Sequence, residues 1–142
     1  MGRYTPKQYE RKLKRWLRTM DPAVKEALQK GGEIVRREAL LKHLSGPKMP
    51  KGVGSETSAT LARPSGHLAG SIRAYVQEHG GKLHGLVSGG GSGIKYAAVH
   101  EYGYKRRGIP ERSFLRSSLN AKRKQIMRVL LDGMMDSYRR AG

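Results

Sequence analysis

The run IRAYVQEHGGKLHGLVS, Ile72 to Ser88, alternates apolar and polar side chains on both sides of a glycine pair. Ile72, Ala74 and Val76 take turns with Arg73, Tyr75 and Gln77; after Gly80-Gly81 the alternation resumes at Leu83, Gly85 and Val87. A period of two predicts strands, and a glycine pair between them suits the left-handed backbone of a two-residue turn. Pairing about that turn sets Val76 opposite Gly85 and Ala74 opposite Val87, so both apolar sets share one face. The other face then holds Arg73, Tyr75, Gln77, His79, Lys82 and His84, and is basic and wet.

Outward from this hairpin the period changes to that of helices. Tyr9, Leu13, Trp16, Leu17 and Met20 recur at helical spacing among Arg11, Lys12, Lys14, Arg15 and Arg18. Asp21-Pro22 reads as an N-cap with proline at the first helical position, predicting a second helix through Val24, Leu28, Val35 and Leu44, kinked or broken at Gly31-Gly32. Ser45 to Gly66 is rich in Gly, Pro, Ser, Thr and Lys and reads as a long flexible loop. His67 to Ser71 suits a short helical turn, and Ser88 to Gly93 a second flexible connector. Leu115, Leu119, Ile126, Leu130 and Met134 mark a long C-terminal helix.

The expectation is one α+β domain over residues 1–142: N-terminal helices over 1–44, a flexible loop over 45–66, the hairpin with a following dense segment over 67–112, and a C-terminal helix over 113–142. A small, mainly antiparallel sheet would pack against the long C-terminal helix and the N-terminal helices. The length of 142 residues suits a single core.

Composition narrows function. There are 29 basic and 11 acidic residues, a formal charge of +18, which predicts a polyanion or an acidic protein surface as partner. With no cysteine, disulfide frameworks, thiol nucleophiles and cysteine zinc sites are excluded. No apolar run approaches the roughly 20 residues of a membrane span, and the basic N-terminus lacks an apolar signal core.

The dense segment is YAAVHEYGYKRRGIPERSFLR, Tyr96 to Arg116. Its His100-Glu101 pair invites comparison with zinc proteases, but the second histidine of that motif would fall where Tyr104 stands. No nucleophile accompanies the pair in a recognisable arrangement. The run Gly89-Gly90-Gly91-Ser92-Gly93 lacks the Gly-Lys-Ser/Thr ending of a phosphate loop and reads as a hinge. His79 and His84 share a hairpin face without a third ligand, so no metal site is expected. Catalytic residues, metals and cofactors are accordingly expected to be absent. Lys105, Arg106 and Arg107 sit between Gly103 and Gly108 and form a candidate loop facing DNA or an acidic partner. No helix-turn-helix, zinc finger or stacking platform accompanies them, and the chain has one Phe and one Trp.

Tyr96-Ala97, His100-Glu101-Tyr102-Gly103, Ile109-Pro110, Arg112, Phe114-Leu115 and Leu119, in that order, resemble the signature of tail-completion or neck proteins of long-tailed bacteriophages. These are also described as minor tail components or virion-morphogenesis proteins. Ser65 to Ile72 is similar to that family's approach to its first strand, so the likeness covers about Ser65 to Leu119. Family sequences often carry proline where this chain has Ser113 and Ser117; a serine at 113 can cap the last helix instead.

The resemblance implies a structural, non-enzymatic virion protein that assembles in the host cytoplasm. It implies a homo-oligomeric ring, commonly a hexamer, at the head-tail junction, between a connector or portal-side neck protein and a tail terminator or tail tube protein. Genomic DNA would pass through, and no membrane would be involved. Tyr96, His100, Glu101, Tyr102, Gly103, Pro110, Arg112, Phe114 and Leu115 would then form a structural or subunit-interface fitting. Within it, Ala97, Ala98 and Val99 would face the sheet, Gly103 would end a short helix, Pro110 would fix the approach to the last helix, and Phe114-Leu115 would anchor that helix. The reading from another class is a non-specific nucleic-acid-binding module.

Overall fold

A computed structural model describes residues 4–44, 67–91, 94 and 96–141. The predicted loop over 45–66 and Ser92-Gly93 of the second connector lie outside the described residues. The chain is α+β, as its periodicities predict. Helix α1 (Pro6–Glu38) runs into a π-helical turn (Ala39–His43); then come α2 (His67–Ser71), β1 (Arg73–His79), β2 (Lys82–Ser88), α3 (Tyr96–Tyr102), a 3-10 turn (Lys105–Arg107) and α4 (Leu115–Arg140).

The hairpin has the predicted register: Val76 pairs with Gly85 and Ala74 with Val87, antiparallel. Gly80 and Gly81 turn it with φ of 58° and 72°, a left-handed pair that residues with a Cβ adopt only at a cost.

The N-terminal segment corrects the sequence reading. It is one helix of 33 residues, capped at Thr5, with Pro22 inside it. The Thr5 hydroxyl accepts from the Gln8 amide while Gln8 Oε1 accepts from the Thr5 amide, a reciprocal cap with Pro6 just inside. Asp21-Pro22 has the composition of a helix start, and an interior proline costs one hydrogen bond and a clash with the carbonyl four residues back, about 3 kcal/mol. Packing against α4 on both sides, at Trp16 and Thr19 before it and Ala27 and Gly31 after it, nevertheless carries α1 through. Gly31 and Gly32 do not break the helix either. They are buried, and a Cβ on Gly31 would lie 3.1 Å from Ile126 of α4, while one on Gly32 would lie 3.0 Å from Ala74 of β1. Absent side chains here let α1 touch the hairpin on one side and α4 on the other.

α1 and α4 run antiparallel. Trp16 meets Tyr138 edge-to-face at 5.5 Å, Thr19 meets Ser137, Gly133 abuts Ala27, and Lys122 pairs with Glu38 at 3.6 Å. Two α1 side chains also grip the hairpin: Gln29 donates to the Ala74 carbonyl at 3.0 Å and Arg36 to the Ile72 carbonyl at 3.1 Å. The core gathers Ala39, Leu44, Leu68, Ala69, Ile72, Ala97 and Phe114, where the end of α1, the hairpin base, α3 and the start of α4 converge. Phe114 sits against Gly89 and brings the first turn of α4 to the hairpin.

The inward face of α4 differs from the expected one. Ser118 and Ser137 are buried and Gly133 meets Ala27, whereas Leu119 and Met134 lie outside. Small residues allow the close approach of α1, so the packed face is not the most hydrophobic one. On α1, Tyr9 and Leu17 likewise lie outside the packed face.

Candidate functional site

α3 forms as predicted, and Gly103 ends it at a φ of 73°. A Cβ at 103 would stand 2.9 Å from the Glu111 amide nitrogen, so glycine is required for backbone shape and for close approach. Ala97 of α3 is buried in the core and Val99 is half-buried, but Ala98 is exposed, correcting the expectation that all three face the sheet. A helix of two turns offers one face to the core, and three consecutive residues cannot share it.

After Gly103 the chain closes on itself. The Tyr104 amide donates to the Ile109 carbonyl at 2.9 Å and the Ile109 amide returns to the Tyr104 carbonyl at 3.1 Å. Between them Lys105, Arg106 and Arg107 make a 3-10 turn ended by Gly108 at a φ of 65°. The three cations are exposed, as expected, but they project from a closed turn and not from an unconstrained loop. They make no ion pair with any described residue.

Beyond exposed Pro110, the Arg112 amide donates to the His100 carbonyl at 2.8 Å and turns the chain toward α4. Phe114 enters the core and Leu115 packs beside it, both as predicted.

Glu101 holds this assembly together. Its buried carboxylate lies across the N-terminus of α4. Oε2 accepts from the amides of Phe114 at 2.8 Å and Leu115 at 3.0 Å. Oε1 accepts from the Arg116 amide at 3.0 Å, the Ser113 hydroxyl at 2.9 Å and Arg116 Nε at 3.1 Å. A helix begins with amides that lack intrahelical acceptors and with a positive dipole end, so an anion here satisfies both needs. The expected Ser113 cap is present only in part: its hydroxyl accepts a 3.3 Å bond from the Ser117 amide and donates to Glu101, which takes the three preceding amides. Burial works against the charge on Glu101, but the Leu115, Arg116 and Phe114 amides with the Ser113 hydroxyl outweigh it and hold the carboxyl below the usual range. Five donors occupy its two oxygens, which leaves the carboxylate poorly placed to accept a proton from a substrate.

Arg116, not singled out by the sequence, locks the clasp from outside. Its Nη2 donates to the Glu101 carbonyl at 2.9 Å and to Glu111, and its guanidinium lies 4.8 Å above the exposed Tyr102 ring. The signal was available only in retrospect: Glu111 and Arg116 are five residues apart, a separation with no helical meaning when a helix starts between them.

His100 plays a different part. Its ring meets Tyr96 edge-to-face at 5.8 Å, and the buried Nδ1 has no hydrogen-bond partner among the described residues. Burial, reinforced by the nearby Arg112 charge, pushes its pKa down, so the neutral ring is favoured. Thus the structure brings together Tyr96, His100, Glu101, Tyr102, Gly103, Arg112, Phe114 and Leu115, with Pro110 at the rim. Of His79 and His84, the first pairs with Lys82 and the second with Gln77. Among the described residues no group of three His, Asp or Glu is placed to hold a metal ion, and no helix is long and apolar enough to cross a membrane.

No protein-family model matches the chain, and no curated protein and no solved structure is significantly similar to it.

Proposed function

We propose that this chain is a structural assembly protein of a bacteriophage particle, completing the neck or tail as a ring at the head-tail junction, with DNA passing through. The observation that carries this reading is the clasp at Glu101. The segment that resembles the neck-protein signature is spent on fixing one helix end, with its carboxylate saturated by Ser113, Arg116 and three amides. That is the chemistry of a rigid fitting, and it leaves Tyr96, Tyr102 and Tyr104 exposed around the fitting, where aromatic rings favour protein contact. The charge of +18 suits a genome in the lumen and acidic faces on neighbouring rings.

A second reading has its own observation: three cations on one exposed turn, Lys105 to Arg107, with no ion pair among the described residues, suit the phosphate backbone. It describes a non-specific nucleic-acid-binding module.

Light scattering of the purified chain, alone and with connector or tail-tube proteins, separates the two. Incorporation into a ring-sized complex only with those proteins supports the neck reading. A chain that ignores them and binds DNA with strong salt dependence overturns it and leaves the nucleic-acid module.

A further inference from the structure

α4 carries more apolar surface than its contact with α1 uses. Seven large apolar side chains fall between Ile126 and Met135. Ile126, Val129 and Leu130 are half-buried, while Met127 and Leu131 are 52% and 57% exposed and Met134 and Met135 lie beside them in the open. A helix that is apolar on more than one face calls for more than one neighbour.

The occupant is indicated by the charges beside this strip. Met127, Leu131 and Met135 are spaced by four and form one ridge. Next to it runs a second ridge of the same spacing: Lys124, Arg128, Asp132 and Asp136, all exposed. Lys124, Arg128 and Asp132 have no ion pair with any described residue, and Asp136 has only the solvent-exposed Arg139 at 3.2 Å. Two positive charges followed by two negative ones become their own complement when the row is reversed. An antiparallel two-fold through residue 130 sets Arg128 against Asp132 of a second copy, and Lys124 against Asp136 of that copy, while the Met and Leu ridges meet between them. An isologous contact requires this kind of self-complementarity.

We propose that the outer face of α4 is the site at which two copies of this chain pair, antiparallel, about a two-fold axis near Leu130. The overall positive charge opposes association only at range and is screened beyond about 8 Å at physiological salt, while the paired rows are locally neutral. A uniformly acidic partner fits less well, because it would meet Asp132 and Asp136 with like charge. The inference rests on α4 alone and does not depend on the neck reading.

Sedimentation equilibrium of the full chain from about 1 to 100 µM at roughly 0.15 M salt tests it. The expected mass rises toward twice 15.8 kDa with concentration. Arg128→Asp alone, or Asp132→Arg alone, places like charges opposite each other twice and should weaken pairing at least about tenfold. An equimolar mixture of these two variants should pair again, as should the double exchange Arg128→Asp with Asp132→Arg. A mass that stays at one chain throughout, a dimer indifferent to both single changes, or a well-folded double exchange that fails to pair would each overturn the proposal. A chain that pairs as described yet ignores connector and tail proteins would sink the neck reading and leave this contact standing.

Discussion

Replacing Glu101 by alanine removes the acceptor of three amides, one of them on fully buried Phe114, together with the partner of the Ser113 hydroxyl and Arg116 Nε. A buried donor left unpaired costs about 1–3 kcal/mol, and loss of a helix cap alone about 0.5–2 kcal/mol. Water can reach the Leu115 and Arg116 amides once the side chain is gone, so the total should fall near 3–5 kcal/mol, in the range for breaking a buried charged contact. A domain of this length has roughly 7–20 kcal/mol in all, which makes this one side chain a large fraction. Urea unfolding followed by far-UV circular dichroism should show the loss, with a fall in Tm of about 10–15 °C. Glu111→Gln, which cuts one exposed contact to Arg116, should change stability by no more than about 0.5 kcal/mol. The pH dependence follows the same clasp. Because the folded carboxyl lies below its ordinary value of 4.5, its stabilisation is complete above that pH and fades as pH falls toward the folded value. Glu101→Gln should flatten that acid limb. If Glu101→Ala lies within about 1 kcal/mol of the parent protein, the clasp is not what holds α4.

Gly103→Ala meets both a positive φ and the Glu111 backbone and should cost about 2–4 kcal/mol, whereas Gly80→Ala, with open space around it, should cost about 1 kcal/mol; equal losses in chemical unfolding would contradict the close approach. His100→Leu removes an imidazole whose Nδ1 lacks a partner among the described residues, so stability at pH 8 should stay within about 1 kcal/mol. As His100 has a folded pKa below its ordinary 6.5, the parent protein loses stability as pH falls below that value, and thermal scans should show the variant losing less. Exchanging Lys105, Arg106 and Arg107 for serine should lower any DNA affinity and reduce the slope of log K against log salt by up to about 3; an unchanged slope would place the phosphate contacts elsewhere.

The hairpin could be read from the sequence because two independent signals agree there: a period of two and a glycine pair at the turn. α3, the role of Gly103, the burial of Phe114 and the packing of Leu115 beside it are legible from the dense segment. α1 was not legible as one helix, because Asp21-Pro22 carries the composition of a helix start and only the packing of both ends against α4 and the hairpin decides otherwise. The face of α4 was misread for a related reason. Hydropathy points to Leu119 and Met134, but α1 meets Gly133 and Ser137, whose small side chains give no hydropathy signal. The sequence reads Glu101 as part of a structural or subunit-interface fitting; that it caps a helix starting 14 residues later follows no local spacing rule.

The clasp also sets an order of events in time. Glu101 meets partners 12 to 15 residues away, and the hairpin strands adjoin, so both close through short loops. Loops of about ten residues close within roughly 10–100 ns. By contrast, Thr19 and Ser137 lie 118 residues apart, and Arg15 and Ala141 126. During synthesis α1 leaves the ribosome before α4, so the side of α1 at Ala27 and Gly31, which will meet Gly133 and Ile126, waits bare until α4 emerges. Folding should therefore nucleate around the hairpin and Glu101 and end with the docking of the two long helices. Substitutions in the clasp would then slow refolding, while those at Thr19 or Ser137 would act mainly by speeding unfolding.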